Sequence, residues 1–152
     1  DDVWRLTVIE LTFSAGMMGG GLLIAAWGGF RNKVKTMILA TLIMGAGTIF
    51  LGIVPIFWLY SALMAVLGMS MPVMNTPATV LLQQNVEEEY LGRVFGVLSM
   101  ISSSMMPLGM LVFGPLSDYV RIEWMLVGTG VFMILVTILL LARKSMLEIG
   151  DI

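Results

Sequence analysis

An all-α fold is predicted for this chain, a polytopic bundle of five transmembrane helices, and three features of the sequence predict it. Hydrophobic residues make up 59% of the 152 and charged residues only 12%, with a mean hydropathy of +0.99; soluble domains hold roughly half and a quarter. So few charges cannot cover a globule of this size, and lipid is the expected solvent for the apolar surface. Second, clustered charges leave residues 11–30, 36–86, 94–117 and 124–142 uncharged, each stretch near or above the roughly 20 residues that cross a bilayer. Third, the longest stretch contains Pro55, which lacks an amide hydrogen and disfavours helix at the residue before it. The expected spans are about 4–28, 36–54, 57–84, 94–116 and 123–142, within one transmembrane domain over 1–152. Membrane strands would show alternating segments of about 10 residues instead.

The first span carries Gly16 and Gly20 in GxxxG spacing, which lets another helix backbone approach closely. Glu10 is the one acidic residue that can fall inside a span. If the helix starts near Val3, Glu10 lies roughly 10 Å in, where a carboxylate is costly and a role in coupling or cation recognition is the default hypothesis. If the span starts at Leu11, it sits at the interface, and this placement is preferred because Arg5 can offset its charge.

The second span ends at Pro55. In the third, Pro72 and Pro77 free backbone carbonyls in mid-membrane, so the segment is expected to face protein or a wet cavity rather than lipid. Asn75, Thr76, Thr79 and Gln83 make a polar stripe beside these prolines, and with Met71 they are the candidate substrate-cavity residues. Ser and Thr also bond back to their own helix, and prolines kink helices that merely pack, so static packing is the competing interpretation.

In the fourth span Gly92, Gly96, Ser99, Ser103, Pro107, Met110 and Gly114 recur at steps of three and four and share one face. A small, weakly polar stripe through the membrane depth suits a helix that slides or rocks against another, or one that packs closely without moving. Fifteen methionines are many for this length. Met71, Met74, Met105, Met106 and Met110 are candidates for an adaptable apolar wall, although methionine more often fills core or faces lipid. Glu87, Glu88 and Glu89 complement the dipole at the start of this helix, with Glu89 four residues before Arg93.

Orientation follows from basic residues, which accumulate in cytoplasmic loops. Arg31, Lys33, Lys35, Arg93, Arg143 and Lys144 fall on one side of five spans, and Arg5 and Arg121 on the other. The C-terminus is therefore expected in the cytoplasm. Residue 1 is Asp, and the chain is read as cut from a longer one. With no cysteine and no histidine, no disulfide, thiol nucleophile, Cys/His metal site or His base is available. No metal or cofactor is expected, an intramembrane enzyme is disfavoured, and the net charge of -2 gives no sign of nucleic acid.

Gly28-Gly29-Phe30-Arg31-Asn32-Lys33 after the Gly-rich span, then Asn75-Thr76-Pro77, Leu91-Gly92-Arg93-Val94-Phe95-Gly96, Met106-Pro107-Leu108-Gly109 and Gly114-Pro115-Leu116-Ser117-Asp118 follow in order along nearly the whole chain. This series resembles the major facilitator superfamily, in its bacterial macrolide-efflux-like drug exporter branch, and the five spans resemble helices eight to twelve of its C-terminal half. The resemblance implies alternating access between two six-helix bundles, a missing N-terminal half as partner, proton antiport and a hydrophobic small-molecule substrate, in a bacterial plasma membrane. It implies a cavity role for the third span, an inter-bundle face at Gly16, Gly20, Gly92, Gly96, Ser99, Ser103 and Gly114, and a cytoplasmic gating loop at Gly29, Arg31 and Lys33. Gly28 stands where the family usually has an Asp, a departure from its charge relay. The rivals are a membrane sensor or assembly subunit that moves no solute, and an uptake permease of the same fold.

Overall fold

A computed structural model of the chain describes residues 2–143 and Glu148. It contains five long helices: α1 (Val3–Trp27), α2 (Lys33–Ile53), α3 (Phe57–Asn85), α4 (Glu88–Tyr119) and α5 (Ile122–Ala142). All five are long and apolar enough to cross a membrane. The helix that carries the fourth span starts six residues before the expected boundary of 94 and ends three beyond 116. The first turn of α4 holds Glu88 and Glu89, where carboxylates meet the positive end of the helix dipole.

Chain breaks have local causes. Val54 is extended (φ −80°, ψ 120°) because it precedes Pro55, and its N–H still closes α2 onto Phe50 O at 2.9 Å. At the end of α1, Gly28 and Gly29 take φ of 72° and 74°, left-handed values that glycine adopts without the strain a Cβ brings. Gly28 N–H donates to Ile24 O at 2.8 Å, capping α1.

Two helix pairs are built on glycine contacts. A Cβ at Gly16 would run into Ala65 O, one at Gly20 into Met69 O, and one at Gly68 into Phe13 O. The step from Gly16–Ala65 to Gly20–Met69, with Trp4 against Phe57 at the start of both helices, makes α1 and α3 parallel neighbours. Across α2 and α5 the register falls: a Cβ at Gly45 would lie 3.2 Å from Gly130 O, and one at Gly52 2.6 Å from Glu123 O. These two helices are therefore antiparallel. Helix α3 also packs on α2, with Thr41 Oγ1 3.9 Å from Met74 Sδ. The result is a layer of four helices in the order α1, α3, α2, α5. Helix α4 touches α3 only lightly and has no buried residue.

The fully buried core is small: Ile24, Ala40, Leu51 and Val73, with Asn32, Thr36, Ser61, Ser70 and Thr137 among buried polar residues. Most large apolar side chains point outward, as they do in a protein solvated by lipid. Hydroxyls inside the helices bond to their own backbone, Ser70 to Val66 O at 3.0 Å and Thr137 to Met133 O at 2.8 Å. No donor is left bare in hydrocarbon at those positions.

Candidate functional site: a cleft between two proline-bearing helices

Helices α3 and α4 are the two that contain prolines, Pro72 and Pro77 in one and Pro107 and Pro115 in the other. Each proline removes the hydrogen bond to the residue four before it, so the carbonyls of Gly68, Val73, Ser103 and Leu111 lose their usual donor. Both helices continue through their prolines. Between them lies a cleft of about 410 Å³ whose polar lining is Asn75, Thr79, Ser99, Ser102 and Ser103, with Ala78, Leu82, Phe95 and Leu98 as the apolar walls. This volume falls in the range of roughly 300–1,000 Å³ typical of small-molecule sites, which pair apolar walls with a few placed polar groups.

Asn75 and Thr79, two residues of the polar stripe, line this cleft. Thr79 Oγ1 donates to Asn75 O at 2.9 Å, so its hydrogen is used within the helix and its lone pairs face outward as acceptors. The exposed Asn75 amide offers both a donor and an acceptor. Met71, Thr76 and Gln83 do not line the cleft. Met71 shares the face but sits a turn beyond it, while Thr76 and Gln83 project about a quarter turn away.

The expected inter-bundle face divides in two. Gly16 and Gly20 are buried against α3 within this chain, where an added Cβ would meet Ala65 and Met69. Glycine spacing identifies a smooth helix surface without naming the neighbour that uses it. Gly92, Gly96 and Gly114 on α4 have open space beyond the Cα, with nothing within 4 Å of an added Cβ. Ser99 and Ser103 turn into the cleft opposite Asn75 and Thr79. Nor do the methionines make one wall. Met74 faces α2 and α5, whereas Met105, Met106 and Met110 are exposed on α4 at 59%, 68% and 62%.

Glu10 lies seven residues after the start of α1, exposed, beside a recess of about 290 Å³ that it shares with Ile9, Phe13, Ser14 and Met64. Arg5 does not neutralise it. The guanidinium lies 5.7 Å from the Trp4 ring centre and 5.5 Å from that of Phe57, a cation–π position that ties α1 to the start of α3. Arg93 likewise lies over Tyr90 at 6.0 Å rather than pairing with Glu89. Among the described residues the one ion pair is Arg121–Glu123, at 3.0 Å and exposed.

The α1–α2 loop is tightly built. Thr36, fully buried, accepts a hydrogen bond from Phe30 N–H at 2.9 Å, and Gly29 fits against the same side chain. Asn32 caps α2 by accepting from Lys35 N–H at 3.2 Å. Lys33 Nζ donates to Gly28 O at 3.0 Å, within its own loop, while Arg31 is exposed. Of the basic residues used for orientation, Lys144 lies outside the described residues.

Sequence reasoning missed Gly45, Gly52 and Gly130, which bring α2 and α5 together; the seven-residue step from Gly45 to Gly52 was the available signal. It also missed an apolar groove of about 490 Å³ between α2, α3 and α5, lined by residues from Val34 to Thr41, by Met74 and Leu81, and by residues from Phe132 to Leu140. No polar pattern marks that groove.

The family model of the Major Facilitator Superfamily matches residues 4–148. Macrolide efflux protein A of Streptococcus pyogenes is 27% identical over 136 residues, covering 88% of this chain and 34% of that protein. Macrolide efflux protein A of Enterococcus faecalis is 31% identical over 108 residues, covering 70% of this chain and 33% of that protein. The chain therefore spans about a third of the length of these curated relatives. No solved structure matches.

Proposed function

This chain belongs to the major facilitator superfamily, and from that premise we propose that it forms part of a secondary active transporter that exports hydrophobic drugs or related small molecules by alternating access. The observation that carries the proposal is the α3–α4 cleft, where polar groups from two proline-bearing helices converge within a membrane bundle. Similarity to two macrolide efflux proteins supports the solute class. The other six-helix bundle comes from the rest of the natural polypeptide. It covers the open face of α4, which has no buried residue here.

The C-terminus lies in the cytoplasm of a bacterial cell, which places the α1–α2 loop with Arg31 and Lys33 on the inner face as a gating element. Glu10 serves in coupling to protons. Its carboxyl sits roughly 10 Å along α1 and is in none of the ion pairs found among the described residues, and this placement supports the role.

A cysteine scan tests the reading, and these 152 residues contribute no native cysteine to it. Cysteine at Asn75, Thr79 or Ser99 in the full-length protein is expected to react with a membrane-impermeant thiol reagent, and bound drug is expected to slow the reaction. A membrane sensor or assembly subunit has no need of a wet cleft. Unreactive cysteines at all three positions would therefore favour that rival, and drug-driven accumulation in cells rather than loss from them would favour uptake.

A further inference from the structure

We propose that the apolar groove between α2, α3 and α5 seats one acyl chain of an anionic phospholipid, whose phosphate is held by Lys35 and Arg143. Four observations converge on this occupant. The lining is almost wholly apolar, and the hydroxyls of Thr41 and Thr137 already donate to Met37 O and Met133 O at 2.9 and 2.8 Å, so the groove offers no orienting donor to a polar solute. Its length suits one chain. From Val34 to Thr41 the wall rises roughly 10 Å at 1.5 Å per residue, within the roughly 15 Å of a single leaflet's hydrocarbon.

The groove also begins at a charged end. The antiparallel register that sets Gly52 beside Glu123 and Gly45 beside Gly130 sets Lys35 level with Leu140, about one turn short of Arg143, so both basic residues lie toward the same end of the groove. Arg143 continues the row Phe132, Val136 and Leu140 that forms the α5 wall. Both basic residues are exposed, and neither is in the one ion pair found among the described residues. Glu87, Glu88 and Glu89 at the same end belong to the start of α4, which packs appreciably on α3 alone.

Finally, the groove is separate from the solute cleft. Met74 and Leu81 face it from one side of α3, while Asn75 and Thr79 face the cleft from another. A lipid here would bridge α2, α3 and α5 without entering the transport path, as a lipid-specific site distinct from the general attraction of basic residues to anionic leaflets.

The test is native mass spectrometry of the full-length protein carrying phosphatidylglycerol or phosphatidylcholine with the same acyl chains. Phosphatidylglycerol is expected to be retained preferentially, and Lys35→Gln and Arg143→Gln are each expected to lower its retention about fivefold. Val136→Trp, which fills the groove, is expected to lower retention of both lipids, while Leu139→Trp, at an exposed position outside the groove, leaves them unchanged. Should Val136→Trp fail to fold, Val34→Phe makes the same test from α2. Equal retention of the two lipids would overturn the proposal. So would loss on removing charge without loss on filling the groove, which would mean headgroups held by surface charge alone. Displacement of the lipid by rhodamine 6G, abolished in Val136→Trp, would make the groove a seat for solute instead.

Discussion

Glycines in this chain divide by what lies opposite them. At Gly20 a Cβ would meet the Met69 carbonyl, a backbone atom that cannot rotate aside. Gly20→Leu is therefore expected to destabilise the bundle by about 1–3 kcal/mol, the usual cost of overpacking, measured by thermal unfolding in detergent. Gly96 has no neighbour at all. Gly96→Leu is expected to leave the melting temperature unchanged while stopping drug export, because it wedges a face that must close on the other bundle; Ser103→Leu is expected to stop export by filling the α3–α4 cleft instead. Export at the wild-type rate in Gly96→Leu would refute the closing role of α4, and in Ser103→Leu the solute role of the cleft. In the α1–α2 loop, Thr36→Val strips the buried acceptor from Phe30 N–H and is expected to cost about 1–3 kcal/mol. Glu10→Gln is expected to abolish export driven by a pH gradient while leaving drug binding intact. Unaltered gradient-driven export would return Glu10 to the interfacial role preferred from sequence.

Which elements exist was largely legible in the sequence, because charge is excluded from hydrocarbon and Pro55 interrupts what would otherwise read as one run. Which elements touch was not. The stripe Gly16, Gly20 is as smooth as the stripe Gly92, Gly96, yet only the first is occupied within this chain. The α2–α5 contact rests on Gly45, Gly52 and Gly130, which stand among β-branched and long apolar residues with no polar contrast to mark a buried side. The candidate cleft was half legible. Asn75 and Thr79 stood out as polar groups beside prolines, but Ala78 and Leu82 complete the same wall and carry no signal of their own. Prolines set α3 and α4 apart from the rest. Replacing Pro77 with Ala restores a donor to Val73 O and is expected to raise stability while slowing transport, a pairing measurable by melting temperature and efflux rate together.

At the scale of the whole molecule, alternation of five helices places Arg31, Lys33, Lys35, Arg93 and Arg143 at one end and Arg5 and Arg121 at the other. Reporter fusions after Arg93 and after Arg121 are expected to report opposite compartments, the first cytoplasmic. Matching signals would break the five-crossing topology itself. The layer α1, α3, α2, α5 is knit by backbone-to-backbone approach, while α4 hangs on a two-residue linker at each end. That asymmetry should be audible in deuterium uptake. Amides of α2 and α5, with unbroken ladders and a mutual glycine seam, would stay protonated for hours. Those following Pro72, Pro77, Pro107 and Pro115 would turn over in minutes, so labelling time alone would sort the chain into a chassis and its moving parts.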